Sequence, residues 1–362
     1  MAARDAKARA DRFAWLAPAG AAGCVLALAA TALLPHADWR AWLGAAFLWA
    51  STSIGALALL MIMRLAPGDW SEELGPFMEA LTLLLPLGAI LLLPVLAETG
   101  RLYPWTQQHL STAFRAAYLS PPFFVVRTLA WYAMLFALAH RLVLRPGRSV
   151  ALACVGLALL VVLDLPIATD WLLSLDPDFA SSGFGLYVLD IQMLTAFALM
   201  TGALVVSGRP IRRPGILAAL LICLLLFWAY LAFTHYVITW SDNLPPGVSW
   251  YQRRGGPWRA VIWIAAACRL APLFLLLFSA VRTSPRMLLA LSAAILFGSV
   301  LEAAWLTLPA TDFPHPSTAT DIALFAFANL AMAALTAGGF LRAFAWRAAR
   351  KPAPAIARRA AA

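Results

Sequence analysis

The sequence predicts an all-α, polytopic integral membrane protein with about ten transmembrane helices. Of its 362 residues, 63% are hydrophobic and only 12% are charged, and the mean hydropathy is +0.81. Soluble domains carry about 25% charged residues, so this chain has too little charge to cover a water-exposed surface. Its apolar residues fall in ten segments of about 20 residues, the length that crosses about 30 Å of hydrocarbon. They lack the strand alternation of a membrane β-barrel.

Short polar, proline-containing or glycine-containing breaks separate these segments, as expected at helix ends. The predicted spans are 14–34, 41–63, 76–97, 121–142, 149–170, 184–206, 214–240, 258–281, 287–308 and 319–344. The first span is long enough to cross a membrane and further spans follow it, which favours a membrane helix over a signal peptide. We expect a membrane domain over 14–346, a basic tail over 1–13, and a basic, disordered tail over 347–362.

The distribution of basic residues predicts the orientation. Of the 27 Lys and Arg residues, 19 lie on the side of the two termini and six lie on the opposite side. Because basic residues accumulate on the cytoplasmic side, both termini are predicted to be cytoplasmic. In a bacterium this corresponds to the inner membrane. The net charge of +10 is thereby explained without nucleic acid, and a soluble enzyme and a disordered protein are excluded by the composition.

Cysteine and histidine usage predicts no metal or haem site within this chain. All four cysteines lie in apolar runs without a CxxC pair, and they are expected to be small buried hydrophobic residues. Of the five histidines, only His140 and His235 lie in predicted spans, near opposite faces of the membrane. A bis-histidine haem between them is therefore not expected.

Ionisable groups inside the spans each cost about 2.5–3.5 kcal/mol on insertion scales, so each requires a reason. Most of them fall in the outer half, and they form a predicted proton-path or polar-cavity set: Arg127, Asp164, Asp190, His235, Arg269 and Glu302. Two interpretations stay open. The arginines could neutralise carboxylates and hold helices together, or the groups could line a wet outer cavity that carries protons or a polar substrate.

Three outer loops, 99–120, 170–183 and 241–257, have the composition of structured loops rather than flexible linkers. They could form a cap on the bundle, or they could dock a partner. The residues predicted for docking are Asp176, Asp178, Asn243, Trp250, Tyr251 and Arg254.

Several segments, in order, resemble one membrane-protein family. Residues 117–127 read AYLSPPFFVVR, 174–187 read SLDPDFASSGFGLY, and 240–254 read WSDNLPPGVSWYQRR. Residues 271–277 read APLFLLL, and 301–310 read LEAAWLTLPA. Together they resemble the cofactor-free polytopic membrane component of the quinol:cytochrome c oxidoreductase known as alternative complex III. The match extends over roughly residues 40–340 and includes Arg127 and Glu302.

The chain resembles a divergent member of that family. Ser120 stands where Asn is usual, and Phe179 stands where Trp is usual. Pro246 and Gly247 replace a pair of glutamates, and Glu302 replaces an aspartate. Arg269 and Leu270 lie where His-Phe is common.

The resemblance implies the fold of the polysulfide-reductase membrane component, with two four-helix bundles and flanking helices. It implies lipid contact and a homologous quinol-binding membrane subunit as a neighbour. It also implies outer partners with c-type haems and iron–sulfur clusters. The chain itself would bind no cofactor and have no catalytic centre.

The leading hypothesis is therefore a cofactor-free membrane subunit of a quinol-oxidising respiratory complex, which docks partners and contributes an outer proton half-channel. The alternatives are a purely structural scaffold of that complex and a stand-alone transporter. Helices broken near the midplane would favour a transporter, and Pro86, Pro94 and Pro166 are the candidate breaks.

Overall fold

In the described part of the chain, ten helical segments are long and apolar enough to cross a membrane, which confirms the predicted all-α polytopic fold. The computed structural model describes residues 2–34, 37–107, 112–145, 149–242, 245–309 and 319–350. Nine spans are based on single helices: α2 (Leu16–Leu33), α3 (Trp39–Leu65), α8 (Pro121–Ala139), α9 (Val150–Trp171), α10 (Phe184–Val206), α11 (Pro214–Asp242), α13 (Pro257–Leu275), α15 (Pro285–Thr307) and α16 (Ala319–Arg350). The remaining span consists of α4 (Asp69–Thr82) and α5 (Leu85–Ala97).

Short helices occupy the segments outside the spans. They are α1 (Ala2–Arg12), α6 (Thr99–Leu102), α7 (Ala113–Tyr118), α12 (Pro245–Arg253) and α14 (Ser279–Arg282). The predicted N-terminal tail is thus helical over most of its length. The C-terminal helix reaches Arg350, four residues into the predicted tail. We call the side that carries α6, α7 and α12 the loop side, and the side of the two termini the terminal side.

The spans form two four-helix bundles with two flanking helices, as the resemblance implied. In the first bundle, α3 contacts α5 and α9, and α8 contacts the same two helices. In the second, α10 contacts α11 and α15, and α13 contacts the same two. The first and last spans, α2 and α16, pack along each other beside α3.

The bundles meet where α3 packs on α10, and these are the most buried spans: 89% and 83% of the residues in their 18-residue apolar stretches lie inside the protein. Gly55 permits this contact, because a side chain there would overlap the backbone carbonyl of Gln192. Small residues commonly let membrane helices approach closely. The position of α10 beside α3 matters for the site, because α10 carries several of its polar side chains.

Of the three prolines at which a helix break was predicted, only Pro86 lies at a break. Helix α4 ends at Thr82 and α5 begins at Leu85, with Pro86 in the first turn of α5. Proline cannot donate the backbone hydrogen bond that would continue the helix. Pro94 and Pro166 lie inside helices that continue through them.

The burial expected of the four cysteines is found only at Cys24. Cys154 and Cys223 are exposed on the outer surface of the spans, and Cys268 is half-buried. The expectation was wrong because an apolar run identifies a span, whereas burial depends on which face of the helix meets other helices.

Replacing Gly55 by alanine tests the contact between the two central helices. The added methyl group would overlap backbone atoms of α10, so we expect a loss of about 3 kcal/mol in stability. Gly75→Ala is the matched control, since Gly75 is also a buried helical glycine but has no atom within 4 Å of the added carbon. Thermal unfolding in detergent measures both. Equal melting temperatures for the two variants would contradict the packing.

Candidate functional site

The centre of the candidate site is a fully buried ion pair between Arg269 of α13 and Glu302 of α15. The other carboxylate oxygen of Glu302 accepts hydrogen bonds from the Tyr187 hydroxyl and from the Trp228 indole at 3.0 Å. Arg269 also donates to the Ser299 hydroxyl at 3.1 Å. Charges buried away from water require such partners. Two of the predicted residues thus meet, and Glu302 has partners on all three other helices of the second bundle.

A pair of hydroxyl groups continues the polar contacts toward the terminal side. The Thr195 hydroxyl on α10 donates to the Ser299 hydroxyl at 3.0 Å, and Ser299 donates to the carbonyl of Ile295 at 3.1 Å. Sequence reasoning missed these residues, although Ser299 lies one turn before Glu302 on the same face of α15.

Asp190 adds a second carboxylate close to this ion pair. It is fully buried on α10, one turn after Tyr187, and within electrostatic range of Arg269 and Glu302. In the part of the chain that the structure describes, neither of its carboxylate oxygens has a hydrogen-bond partner. We call Arg269, Glu302, Tyr187 and Asp190 the central cluster. With both carboxylates ionised, its net charge would be −1 in a medium that solvates charge poorly.

Asp164 is buried too, but its observed partner lies outside the central cluster. One of its carboxylate oxygens accepts a hydrogen bond from the Gln192 side chain at 3.1 Å. The second oxygen, and the side-chain oxygen of Gln192, have no partner among the described residues. The structure therefore joins α9 to α10 through a polar pair, of which the sequence indicated only Asp164.

Arg127, which was grouped with the polar cavity, instead forms a separate ion pair at the loop side. Its guanidinium donates to both carboxylate oxygens of Asp170, at 2.6 and 2.9 Å, and to the carbonyl of Tyr118 at 2.8 Å. The rings of Tyr118 and Phe123 lie 3.9 and 4.4 Å from the guanidinium. Burial and the nearby Asp170 carboxylate raise the pKa of Tyr118 to about 12. This geometry supports the structural interpretation of Arg127.

His235 links the central cluster to the loops above it. Its Nδ1 atom lies 3.0 Å from the Tyr251 hydroxyl, and its ring stacks on Tyr187 at 6.2 Å between centroids. The rings of Phe179 and Trp250 also contact it, at 5.8 Å each. Burial raises the pKa of the Tyr251 hydroxyl, so the group remains a neutral hydrogen-bonding partner at physiological pH.

Three of the predicted docking residues are turned into the protein, so docking through them was the wrong interpretation. Asp176, Trp250 and Arg254 are at most 3% exposed. Arg254 pairs with Asp176 at 3.2 Å, donates to the Leu306 carbonyl at 3.2 Å and lies 3.6 Å from the Trp250 ring. Burial lowers the pKa of Arg254 to about 10, and the Asp176 carboxylate opposes this shift. These residues hold two loops against the bundle.

The other predicted docking residues differ from these three. Asp178 is 70% exposed and lies 3.8 Å from Arg115. Tyr251 is half-buried. Asn243 lies outside the described residues.

A further buried carboxylate, Glu79 of α4, was missed by the sequence reasoning. Arg347 of α16 pairs with one of its oxygens, and Arg64 of α3 lies 3.6 Å from the other. Glu79 falls within the predicted span 76–97, so the argument applied to the other intramembrane carboxylates should have included it. The terminal half of the bundle thus contains a buried ionic group of its own.

Comparisons with known proteins do not assign the chain to a family, since no family model matches it and no curated protein gives a match. The resemblance to the membrane component of alternative complex III therefore rests on the motifs given above.

The charge balance of the central cluster can be tested by removing its carboxylates one at a time. Asp190→Asn or Glu302→Gln leaves one carboxylate to neutralise Arg269, so each variant should lose about 1 kcal/mol or less in stability. The double variant leaves Arg269 unpaired and should lose about 3–5 kcal/mol. Thermal unfolding of the three variants measures this. If the loss of the double variant equals the sum of the two single losses, Asp190 and Glu302 do not share Arg269 as their counter-ion.

The Arg127–Asp170 pair is expected to stabilise the loop side strongly. Asp170→Asn removes the charge from a buried, bidentate partner and should lower stability by about 3 kcal/mol or more. Asp178→Asn is the control, because it removes the same charge from an exposed pair, which contributes about 0–1 kcal/mol. Similar melting temperatures for the two variants would show that the Arg127 contact contributes little.

Proposed function

We propose that this chain is a membrane subunit of a quinol-oxidising respiratory complex and that its central cluster belongs to a proton half-channel on the loop side. The observation that carries the proton role is the charge of the cluster. It contains two carboxylates, Asp190 and Glu302, and one arginine, all fully buried. One proton, on either of the two carboxyl groups, makes the cluster neutral, and a buried carboxyl group that holds a proton can pass it on through intervening water or side chains.

The groups around the cluster could connect it to the loop side. The Tyr187 hydroxyl donates to Glu302, and its ring stacks on His235, which in turn lies within hydrogen-bond distance of Tyr251. Tyr251 is half-buried in the loop-side surface. Chains of such side chains and internal water are a usual composition of proton relays in membrane proteins.

Contacts among the family-like motifs support the respiratory part of the proposal. Arg127 ends the first motif and contacts Asp170, just before the second. Arg254 of the third contacts Asp176 of the second, and Trp250 packs against Trp305 of the last at 5.3 Å. Segments far apart in sequence thus pack against one another at the loop side, which is expected if the resemblance reflects a common architecture.

In this proposal, the protein lies in a bacterial inner membrane with both termini in the cytoplasm. A homologous membrane subunit binds quinol, and outer partners carry c-type haems and iron–sulfur clusters. The chain contributes no redox cofactor of its own.

A purely structural role is the second candidate, and the direct pairing of Arg269 with Glu302 favours it. A paired glutamate can hold helices together without exchanging protons. The two roles differ in the consequence of neutralising Glu302, since a scaffold needs only the packing and hydrogen bonds of that side chain.

Purification of the tagged protein from native membranes tests the respiratory assignment. Because c-type haem is attached through a CxxCH motif and this sequence has no CxxC pair, a c-type haem band in the reduced-minus-oxidised spectrum would come from partners. We expect such a band, with quinol oxidation that scales with it. A colourless single protein in several mild detergents would contradict membership of the complex and turn attention to transport.

Glu302→Gln tests the proton role in the isolated complex. We expect the proton-to-electron ratio to fall by at least half while assembly and quinol oxidation continue, because Asp190 still neutralises Arg269. Asp178→Asn, which removes an exposed loop-side carboxylate, should leave the ratio unchanged. Loss of assembly in Glu302→Gln, or a wild-type ratio, would contradict the proton role.

A further inference from the structure

The turn between α10 and α11 carries three arginines, and two of them are matched by acidic groups at the start of α4. The backbone N–H of Arg212 donates to Glu73 at 2.7 Å, and its guanidinium lies 3.4 Å from Glu72. The guanidinium of Arg213 lies 2.9 Å from Asp69. These two arginines are therefore neutralised within the chain.

The third arginine of this turn, Arg209, has no such partner among the described residues. Its half-buried guanidinium lies over the rings of Phe77 and Phe344, at 5.5 and 5.0 Å from their centroids. Within the described ranges, no hydrogen-bond acceptor is found for its five guanidinium N–H groups. A guanidinium that lies over aromatic rings and has no acceptor in the described part of the chain can bind a planar or tetrahedral anion.

A second guanidinium is held beside it. Helix α1 packs on α16, and its residues Ala6 and Ala10 are buried, while Arg9 of the same helix contacts the end of α10. Arg9 donates to the carbonyls of Val206 and Ser207, at 3.0 and 2.7 Å. The last carbonyls of a helix attract cations, so these bonds fix the position of Arg9 next to the following turn.

The turn itself depends on Gly208. Its φ of +68° lies in the left-handed region that favours glycine, and its Cα faces the guanidinium of Arg9. Burial and the positive charge of Arg9 lower the pKa of Arg209, with the Asp5 carboxylate acting in the opposite sense. The two guanidiniums therefore repel each other in this arrangement, and an anion between them would relieve that repulsion.

The level of this pair in the membrane indicates which anion fits. Arg209 lies between the end of one span and the start of the next, and the ends of membrane-spanning helices lie at the level of the lipid headgroups. Basic pockets between membrane helices at this level bind anionic headgroups. We propose that Arg209 and Arg9 bind the phosphate of an anionic phospholipid on the terminal side of the membrane domain.

Native mass spectrometry of the full-length protein in micelles that contain phosphatidylglycerol and phosphatidylcholine tests this binding. We expect wild-type protein to retain phosphatidylglycerol in preference. Arg209→Gln should weaken that preference about fivefold, the effect of one basic residue near a headgroup. Arg212→Gln is the matched control, because it removes the same charge from the same turn but from a residue already paired with Glu72.

Three results would overturn the proposal. Wild-type protein could show no preference for phosphatidylglycerol, which would decide against the site even if Arg209→Gln fails to fold. The two glutamine variants could weaken the preference equally, which would indicate non-specific attraction to the basic side. Inorganic phosphate at millimolar concentration could displace the lipid, which would identify a site for a soluble anion. Retention of the lipid in phosphate, with loss only in Arg209→Gln, supports it.

Discussion

The poor solvation of charge inside a membrane is the constraint on which the rest of this structure depends. Arg269 and Glu302 satisfy it by pairing across α13 and α15. The same requirement joins α8 to the end of α9 through Arg127 and Asp170, and α4 to α16 through Glu79 and Arg347. Because separating such a pair leaves a buried charge, each restricts the arrangement of the helices around it.

The packing of the two bundles determines where this polar chemistry lies. Helix α10 is central, with α3 on one side and α15 on another. Its loop-side half presents Tyr187 and Asp190 to the second bundle, and Gln192 to Asp164 of the first. The close contact at Gly55 fixes the depth of α10 against α3. The lack of a side chain at Gly55 of α3 therefore helps to position the ionisable groups of α10.

The sequence was sufficient to predict the spans and most of the ionisable residues inside them. It was not sufficient to predict which of these residues pair with one another. Length and hydropathy determine which segments are able to cross a membrane, so all ten predicted spans are found. Some ends differ: the third helical span begins at Asp69 rather than 76, and the last ends at Arg350 rather than 344. Pairing depends on helix rotation and order in space, which composition does not encode. Arg127 was thus grouped with Glu302, although its partner is Asp170.

The errors at the loop side have a related cause. Asp176, Trp250 and Arg254 have the composition of an interface, since aromatic and arginine side chains are typical of protein contacts. Here the interface is internal, between two loops and the bundle. A sequence pattern indicates that such residues contact something, whereas only the fold shows whether the contact lies within the chain.

The central claim is that the buried cluster holds one proton, on Asp190 or on Glu302. Infrared spectroscopy of the purified protein at neutral pH tests it directly, through the carbonyl stretch of a protonated carboxyl group and its shift in deuterium oxide. The account predicts a band component in the wild-type protein that is lost in both Asp190→Asn and Glu302→Gln, because the remaining carboxylate is then ionised beside Arg269. Any contribution from Asp164, which is buried beside a neutral amide, is the same in all three proteins. A wild-type spectrum without such a band, or a band that survives unchanged in both variants, would contradict it.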